Sequence, residues 1–274
     1  MTDAELVRRL KADFQTARRS NGRQNVLFLE LFAGAGGLSQ VVSSHKYAVL
    51  SIDIKHGLHH DITKPCIWKV IRGWLCSKAI CGLWAGTPCS SWSRARHGPP
   101  GSNWCTLRDA HHLFGLPNLH SNAQAAVEIG NALMHRTAEA FSLCHRLSIP
   151  AWLENPSSSM LWQVEPIARL ARLPEANIAV HDACQYGARW RKRTCILSLY
   201  SFQNSKVEKK CCGHGGICSR TGKHHIVLKG VEPQSKQLWT KLAEPYPRAL
   251  CTAYAAHINT TIQRWRLLKL KRLC

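Results

Sequence analysis

Apolar residues recur along the chain in two patterns, short apolar runs and longer stretches with helical spacing. Leu6, Leu10 and Phe14 have helical spacing and predict a helix over residues 3–19. Further helices are predicted over residues 38–44, 122–147 and 248–269, and strands over residues 25–31, 48–54, 80–84, 150–153, 178–184 and 195–200. This alternation predicts an α/β fold with a mostly parallel sheet and helices on both faces.

The regular pattern ends near residue 200. Residues 201–245 are rich in Cys, His, Lys and Gly, and predict a small basic appendage. We therefore expect a main domain over residues 1–200, this small segment, and a C-terminal helix over residues 246–274 that packs back on the main domain. Within the main domain, residues 93–119 are rich in Gly, Pro, Arg and His and predict a long loop of functional importance.

The charge of the chain indicates a polyanionic partner. The 274 residues contain 37 Lys and Arg but only 16 Asp and Glu, a formal net charge of +21. Such an excess favours nucleic acid, because each neutralised phosphate releases counterions. The alternative is a merely soluble basic surface.

Targeting signals and cysteine usage indicate an intracellular protein. No apolar stretch is long enough for a membrane span and no secretory signal is expected, so no membrane partner is predicted. The 13 cysteines are expected to be reduced. We expect the nucleus if the source is eukaryotic and the cytoplasm otherwise.

A glycine-rich turn follows the first predicted strand. Residues 32–37 read Phe-Ala-Gly-Ala-Gly-Gly, which departs from the spacing that binds dinucleotides. Asp53, after the next strand, is placed to hold ribose hydroxyls, and Asp61 to bond an adenine amino group. The pattern predicts a nucleoside cofactor without a pyrophosphate. The alternative is a tight turn without a ligand.

Cys89 follows a proline at the end of an apolar run. Its thiolate would be a nucleophile, and a helix start or the nearby Arg94 and Arg96 would lower its pKa. The alternative is a small buried apolar residue, which is what we expect of the other twelve cysteines.

Glu154 ends another apolar run, in Trp-Leu-Glu-Asn-Pro over residues 152–156. A carboxyl group in a closed pocket has a raised pKa and can donate a proton to a substrate. The alternative is a helix cap or a loop salt bridge.

Together these segments resemble the C5-cytosine DNA methyltransferases. Residues 30–37 resemble the cofactor motif of that family, Thr87-Pro88-Cys89 its Pro-Cys motif, and Glu154-Asn155-Pro156 its Glu-Asn-Val motif. Residues 185–193 are similar to its segment ending Gln-x-Arg-x-Arg. The resemblance covers residues 25–200.

The resemblance implies a Rossmann-like class I methyltransferase that binds S-adenosylmethionine and methylates cytosine C5 in DNA. Cys89 would add to C6 of a flipped base and Glu154 would contact N3, while Arg191 would contact the ring and phosphate. The loop over residues 90–119 would close over the base. The implied cofactor contacts are Phe32, Ala33, Gly34, Gly36, Gly37, Leu38, Asp53, Ile54, Asp61, Ile62 and Pro88, and the implied nucleic-acid contacts are Ser90, Ser93, Arg94, Arg96, Arg189 and Arg193.

The chain departs from the family at several points. Pro156 replaces valine, Arg189 replaces glutamine, and only about fifty residues separate the basic segment from Pro247, which leaves a reduced target-recognition region. Recognition is then relaxed or borrowed from another chain. An RNA substrate and a non-catalytic nucleic-acid-binding subunit are the main alternatives. An exocyclic-amine methyltransferase and a dehydrogenase fit the motifs less well. The oligomeric state is left open.

Cysteines and histidines are dense between residues 211 and 225. Cys212, His214, Cys218 and His224 are candidate ligands of one structural zinc ion. The alternative is a basic, flexible loop whose lysines contact phosphates.

Overall fold

Six strands form one sheet. The structure is a computed structural model and describes residues 1–20, 26–94, 106–202 and 207–271. The strands are β1 Leu27–Leu31, β2 Ala48–Ile52, β3 Ile80–Gly86, β4 Ala151–Pro156, β5 Ala176–Asp182 and β6 Arg193–Leu199. Each lies within about two residues of a predicted strand, the usual uncertainty of such boundaries.

The strand order is β2-β1-β3-β4-β6-β5. The first four strands in this order are parallel, and β6 runs antiparallel to both β4 and β5. The fold is therefore α/β and Rossmann-like with a mostly parallel sheet, as predicted. The direction of winding reverses between β1 and β3, and ligands of such sheets bind in the crevice at the carboxyl ends of these two strands.

Seven α-helices accompany the sheet in the described residues. They are α1 Asp3–Arg19, α2 Gly37–Ser44, α3 Pro65–Cys76, α4 Ser121–Arg146, α5 Glu165–Ala171, α6 Trp239–Leu242 and α7 Arg248–Lys271. The predicted helices are confirmed, whereas α3, α5 and α6 were not predicted. None of the helices in the described part of the chain is long and apolar enough to cross a membrane.

Alternate side chains of the strands enter two separate cores. Leu27 and Leu29 of β1 pack with the buried faces of α1, α3, α4 and α5. Phe28, between them, points to the other face and packs with buried residues of α2 and α7. Burial on both faces explains why the strands read as continuous apolar runs. Helices therefore cover both faces, as predicted.

Helix α1 holds the loop that follows β2. The Asp13 carboxylate contacts the ring nitrogens of both His59 and His60 at 2.9 Å. Phe14 stacks on Trp74 of α3 with ring centroids 4.2 Å apart. The loop after β2, which contains four predicted cofactor residues, Asp53, Ile54, Asp61 and Ile62, is thereby fixed by α1.

A buried carboxylate on β1 connects the sheet to the start of α2. Glu30 Oε2 accepts hydrogen bonds from the backbone N–H and the hydroxyl of Ser39, and Ser51 donates to the same hydroxyl at 2.6 Å. This satisfies one of the free N–H groups of the first helical turn. Burial raises the pKa of Glu30 from 4.5 to about 7, although the Ser39 hydrogen bonds oppose the shift.

Replacing Glu30 by glutamine should change the pH dependence of stability. Because the pKa of Glu30 is raised in the folded protein, its contribution to stability is fully present below pH 4.5 and is lost as the pH rises through about 7. The variant should lack this loss, which is on the order of 3 kcal/mol for a shift of this size. Urea unfolding at a series of pH values measures it. The same substitution at Glu5, which lies only partly buried at the start of α1, is the control. Parallel profiles for Glu30→Gln and wild type would contradict the assignment.

Candidate active site

Two adjacent parallel strands bring Cys89 and Glu154 together. Gly86 at the end of β3 pairs with Glu154 on β4, and Cys89 lies three residues beyond Gly86. The side-chain amide of Asn155 donates a hydrogen bond to the carbonyl oxygen of Thr87 at 2.6 Å, and both residues are buried. The predicted nucleophile and the predicted proton donor therefore share one end of the sheet.

The turn that contains Cys89 is also braced by helix α4 and a buried arginine. The Arg108 guanidinium lies 3.5 Å from the centre of the Trp92 ring and donates to the carbonyl oxygens of Ser91 and Val127. Gly130 of α4 approaches so closely that a Cβ there would lie 2.1 Å from the Ser91 hydroxyl. These contacts fix the polypeptide on both sides of the turn.

The predicted loop over residues 93–119 is only partly described. From residue 106 onward it is held by Arg108, which also bonds the Leu113 carbonyl and the Asn131 side chain. Residues 106–119 contain no helix or strand, as predicted, but these hydrogen bonds hold them against α4. Arg96 lies outside the described residues. Arg94 and Ser90 are exposed, and Ser93 is half-buried.

The pKa of Cys89 is raised rather than lowered, which corrects the sequence-based expectation. Burial is the largest cause, and the neighbouring Glu154 carboxylate adds to it. Lys192 is a cation that opposes the shift, a role that the sequence had suggested for Arg94 and Arg96. The thiol form of Cys89 is thus favoured in the protein alone.

Glu154 is buried and held by an aromatic pair. The Tyr246 hydroxyl donates to Glu154 Oε2 at 3.0 Å, and the Trp84 indole donates to that hydroxyl at 3.3 Å. Burial raises the pKa of Glu154, while Lys192 and the Tyr246 hydrogen bond partly oppose the rise. The carboxyl group is thus disposed to keep a proton. It lines a small cavity with His181, Trp190, Lys192 and Tyr246.

The glycine turn leaves open space above its backbone. Gly34 and Gly36 have φ of +57° and +69°, and a Cβ at either would meet nothing within 4 Å. The Gly34 N–H donates to Asp53 Oδ2 at 2.7 Å. Asp53 Oδ1 accepts from the Lys55 N–H at 2.9 Å. The two strand ends are joined by this carboxylate, and a ligand can approach the backbone closely.

The other predicted cofactor residues fall into two groups. Ile54 is 53% exposed beside Asp53, and Asp61 is half-buried with one oxygen bonded to Thr63. Leu38 and Ile62 are buried in the two cores, and their assignment as cofactor contacts stays a prediction. Phe32, Ala33, Gly37 and Pro88 are half-buried near the two strand ends.

Two of the arginines that were predicted to contact nucleic acid, Arg191 and Arg193, lie beside Asp182 at the end of β5. Arg193 donates twice to this carboxylate, at 3.0 and 2.9 Å. Arg191 lies 3.4 Å from it and donates to the Cys211 carbonyl at 2.8 Å. The residue next to Glu154 is therefore Lys192, not Arg191, in this structure. Arg189 is exposed and lies over the Trp239 ring at 5.7 Å.

Four metal-ligand side chains converge beside the same strand end. These four residues, which we call the Cys3His cluster, are Cys184, Cys211, Cys218 and His225. Their ligand atoms all lie within 4.8 Å of one another. Of the four predicted ligands only Cys218 is a member. Cys212, His214 and His224 are exposed and lie outside the cluster, so their assignment was wrong.

Sequence reasoning missed several residues of this region. Tyr246 is hydrogen-bonded to Glu154, and Lys192 lines the same cavity and lowers the pKa of Glu154, but neither was predicted as a site residue. Cys184 had been assigned to a strand and treated as a buried apolar residue. For Cys211 a signal was present, because Cys211, Cys218 and His225 are spaced at intervals of seven residues.

Comparison with known proteins gives no family. No protein-family model matches the chain, and no curated protein matches it. Among solved structures the chain is similar to the Entamoeba histolytica methyltransferase EhMeth, with 10% sequence identity and a TM-score of 0.35. The similarity covers 89% of this chain and 97% of that one. A similarity this distant does not bear on function, which must be argued from the site.

Removing each of the two charged neighbours of Cys89 should shift the pKa of its thiol, in opposite directions for the two neighbours. Glu154→Gln removes a carboxylate that raises the thiol pKa, so alkylation of Cys89 should reach its half-maximal rate at a lower pH. Lys192→Met removes the opposing cation and should move the profile to higher pH. Peptide mapping by mass spectrometry follows Cys89 separately from exposed Cys76, whose profile should not move. Shifts in the same direction for both variants would refute this electrostatic account.

The Asn155 hydrogen bond should control both stability and the position of Cys89. Asn155→Ala leaves the buried Thr87 carbonyl without this donor, at a cost of about 1–3 kcal/mol in the free energy of unfolding. Alkylation of Cys89 should also become faster, because the turn loses its link to β4.

Asn177→Ala is the matched control for Asn155→Ala. It removes an amide-to-carbonyl bond of the same length, 2.6 Å to Ser201, on the edge strand β5. We expect it to lower stability without changing Cys89 reactivity. Equal effects of both variants on Cys89 would show that the turn responds only to global stability.

Proposed function

We propose that this protein is an S-adenosylmethionine-dependent methyltransferase that acts on C5 of cytosine in DNA. The observation that supports it is the joint position of Cys89 and Glu154 at neighbouring strand ends, connected by the bond between Asn155 and Thr87. A nucleophilic thiol next to a carboxyl group that retains its proton is the pair that this reaction requires.

The glycine turn fits the cofactor. The open space above Gly34 and Gly36 admits a ligand next to the backbone. Asp53 is placed for ribose hydroxyls, and exposed Ile54 beside it offers an apolar surface for an adenine ring. When bound there, S-adenosylmethionine supplies an electrophilic methyl group.

Cys89 and Glu154 would divide the chemistry on the base. The Cys89 thiol releases its proton to water and its sulfur forms a bond to C6, which moves the ring electron pair toward C5. Glu154 gives a proton to N3 and so neutralises the charge that this addition creates. The methyl group of the cofactor would then be transferred to C5, and the cofactor would leave as a neutral thioether. Water takes the proton from C5, the bond between Cys89 and C6 breaks, and N3 returns its proton to Glu154. The released thiolate takes up a proton from water, which restores the thiol.

The surroundings of the pair fit these roles. Lys192 opposes the raised pKa of Cys89 and so stabilises the thiolate once it forms. Tyr246 fixes the orientation of the Glu154 carboxyl group through its hydrogen bond to Oε2. Removal of water by a bound base would strengthen both interactions, because charges interact more strongly at low dielectric.

The basic charge supports a nucleic-acid substrate but does not distinguish DNA from RNA. The net charge of +21 and the arginines on Asp182 suit phosphate contacts. RNA is therefore the alternative polymer. A non-catalytic binding subunit would have the same charge, but it would have no use for a half-buried Cys89 next to Glu154.

Covalent trapping tests the proposal. DNA with 5-fluorocytosine carries a fluorine that cannot leave C5 as a proton would, so an active enzyme stays attached through Cys89. Wild type should form an adduct that survives denaturing electrophoresis only when S-adenosylmethionine is present. Cys89→Ala should form none, whereas Cys76→Ala, at an exposed cysteine on α3, should behave as wild type.

The probes are duplex DNA, single-stranded DNA and RNA, each with the same fluorinated base. An adduct with RNA alone would move the proposal to RNA. A folded wild type that binds S-adenosylmethionine but traps no probe would refute cytosine C5 methylation. A gel shift without trapping would then identify a binding subunit.

A further inference from the structure

The small segment between β6 and α6 buries cysteines in place of an apolar core. Cys184, Cys211 and Cys218 form a cluster of their own, each 3% exposed or less. Val207 is buried against the main domain, but large apolar residues further along the segment are exposed, with Val227 at 74% and Val231 at 51%. A segment this small without an apolar core needs another source of stability, such as a metal or disulfides.

The segment is folded as a tight hairpin that presents two of the cluster residues. Ile217 and His224 form an antiparallel bridge, and Cys218 and Lys223 are hydrogen-bonded at 2.8 Å. The His225 N–H donates to the Gly216 carbonyl at 2.8 Å. Cys218 and His225 therefore lie side by side at the base of the hairpin.

The other two cysteines come from opposite sides of this hairpin. Cys184 belongs to the turn after β5 in the main domain. Cys211 follows β6 and is anchored to β5, because its N–H donates to Asp182 Oδ2 at 2.7 Å. Arg220 in the hairpin also donates to the Cys184 carbonyl at 2.7 Å. The Cys3His cluster thus joins three separate parts of the chain.

The geometry is that of a tetrahedral thiolate site. With metal–sulfur and metal–nitrogen bonds near 2.3 and 2.0 Å, ligand atoms around zinc lie about 3.5–3.8 Å apart. The distance from Cys211 Sγ to His225 Nε2 is 3.7 Å, and all four atoms lie within 4.8 Å.

Hydrogen-bond donors point at the sulfur atoms. Ser219 donates to Cys211 Sγ through its N–H at 3.3 Å and its hydroxyl at 3.5 Å. The Gln185 amide lies 3.6 Å from Cys184 Sγ. Donors of this kind stabilise metal-bound thiolates, and a cysteine buried only as an apolar residue does not require them.

We propose that the Cys3His cluster binds one structural zinc ion that fastens the segment over residues 207–229 to the main domain. Three thiolates and a neutral imidazole are a common ligand set for structural zinc. The ion would connect Cys184 to ligands more than 25 residues later in the chain and so close a long loop. The free energy of binding the ion would thereby add to the stability of the folded segment.

Zinc content of variants tests the proposal. The full-length protein, expressed with zinc and purified with a phosphine reductant and without chelator, should contain about one zinc per chain by mass spectrometry, as a four-ligand site requires. Cys211→Ser should lose the metal. Cys212→Ser is the matched control at the adjacent exposed cysteine and should retain it.

His225→Cys keeps the test informative if other variants fail to fold. It preserves four ligands and should retain zinc. Loaded with cobalt, it should show a shifted set of d–d bands relative to wild type, because a nitrogen ligand has been replaced by sulfur. Wild type itself should show the intense bands of tetrahedral cobalt thiolate.

Three results would overturn the proposal. One is a folded wild type that contains no zinc and takes up neither zinc nor cobalt. Another is a metal-free protein that, after purification without reductant, has an intact mass two hydrogens below that of the reduced chain. That result would identify a disulfide instead of a metal site. The third is equal loss of metal from Cys211→Ser and Cys212→Ser. None of these readouts depends on methyl transfer, so the zinc site and the proposed function can fail separately.

Discussion

The site depends on one buried hydrogen bond, from the Asn155 amide to the Thr87 carbonyl oxygen. Parallel strands place the ends of β3 and β4 side by side, but they do not determine how the chain turns after β3. The Asn155 bond determines it, and Thr87 is held a second time by Thr137 of α4 at 2.9 Å. Because a buried carbonyl without a donor is costly, the turn has little freedom to move Cys89 away from Glu154. Arg108 braces the same turn from the opposite side.

Burial creates an electrostatic conflict in this site. It raises the pKa of Cys89, Glu154 and Glu30, so each group favours its neutral form. A neutral carboxyl group suits proton donation, whereas a neutral thiol is a poor nucleophile. Lys192 is the cation that acts on both Cys89 and Glu154, and it favours the charged form of each. The site therefore favours the protonated form of Glu154, which the proposed reaction needs, but also the protonated form of Cys89, which it does not. In that reaction the thiolate would have to form as Cys89 attacks the base.

The sheet and the pairing of Cys89 with Glu154 could be predicted because they follow from apolar runs and from the rule that parallel strands end at one edge. The helix α3 could also have been predicted, since Ile67, Ile71 and Leu75 have helical spacing.

The sequence could not show which basic residue lies beside Glu154. Lys192 stands between Arg191 and Arg193, and the spacing of these three basic residues does not indicate which of them lines the cavity beside Glu154. The sequence also could not show which of the cysteines and histidines between residues 211 and 225 belong to the Cys3His cluster. Successive side chains of an extended hairpin point to opposite sides, so a register one residue different would have selected the neighbouring histidine.

Asp182 links the metal cluster to the basic surface. It is fully buried at the end of β5, where it accepts from the Cys211 N–H and from two groups of Arg193. Burial alone would raise the pKa of Asp182, but the hydrogen bonds from Arg193 and Cys211 outweigh it and lower the pKa. The carboxylate therefore stays charged and holds the arginines at the surface beside Lys192. Because Cys211 is both a proposed ligand and a partner of Asp182, an ion in the cluster would fix the position of the charges that a polyanion would meet.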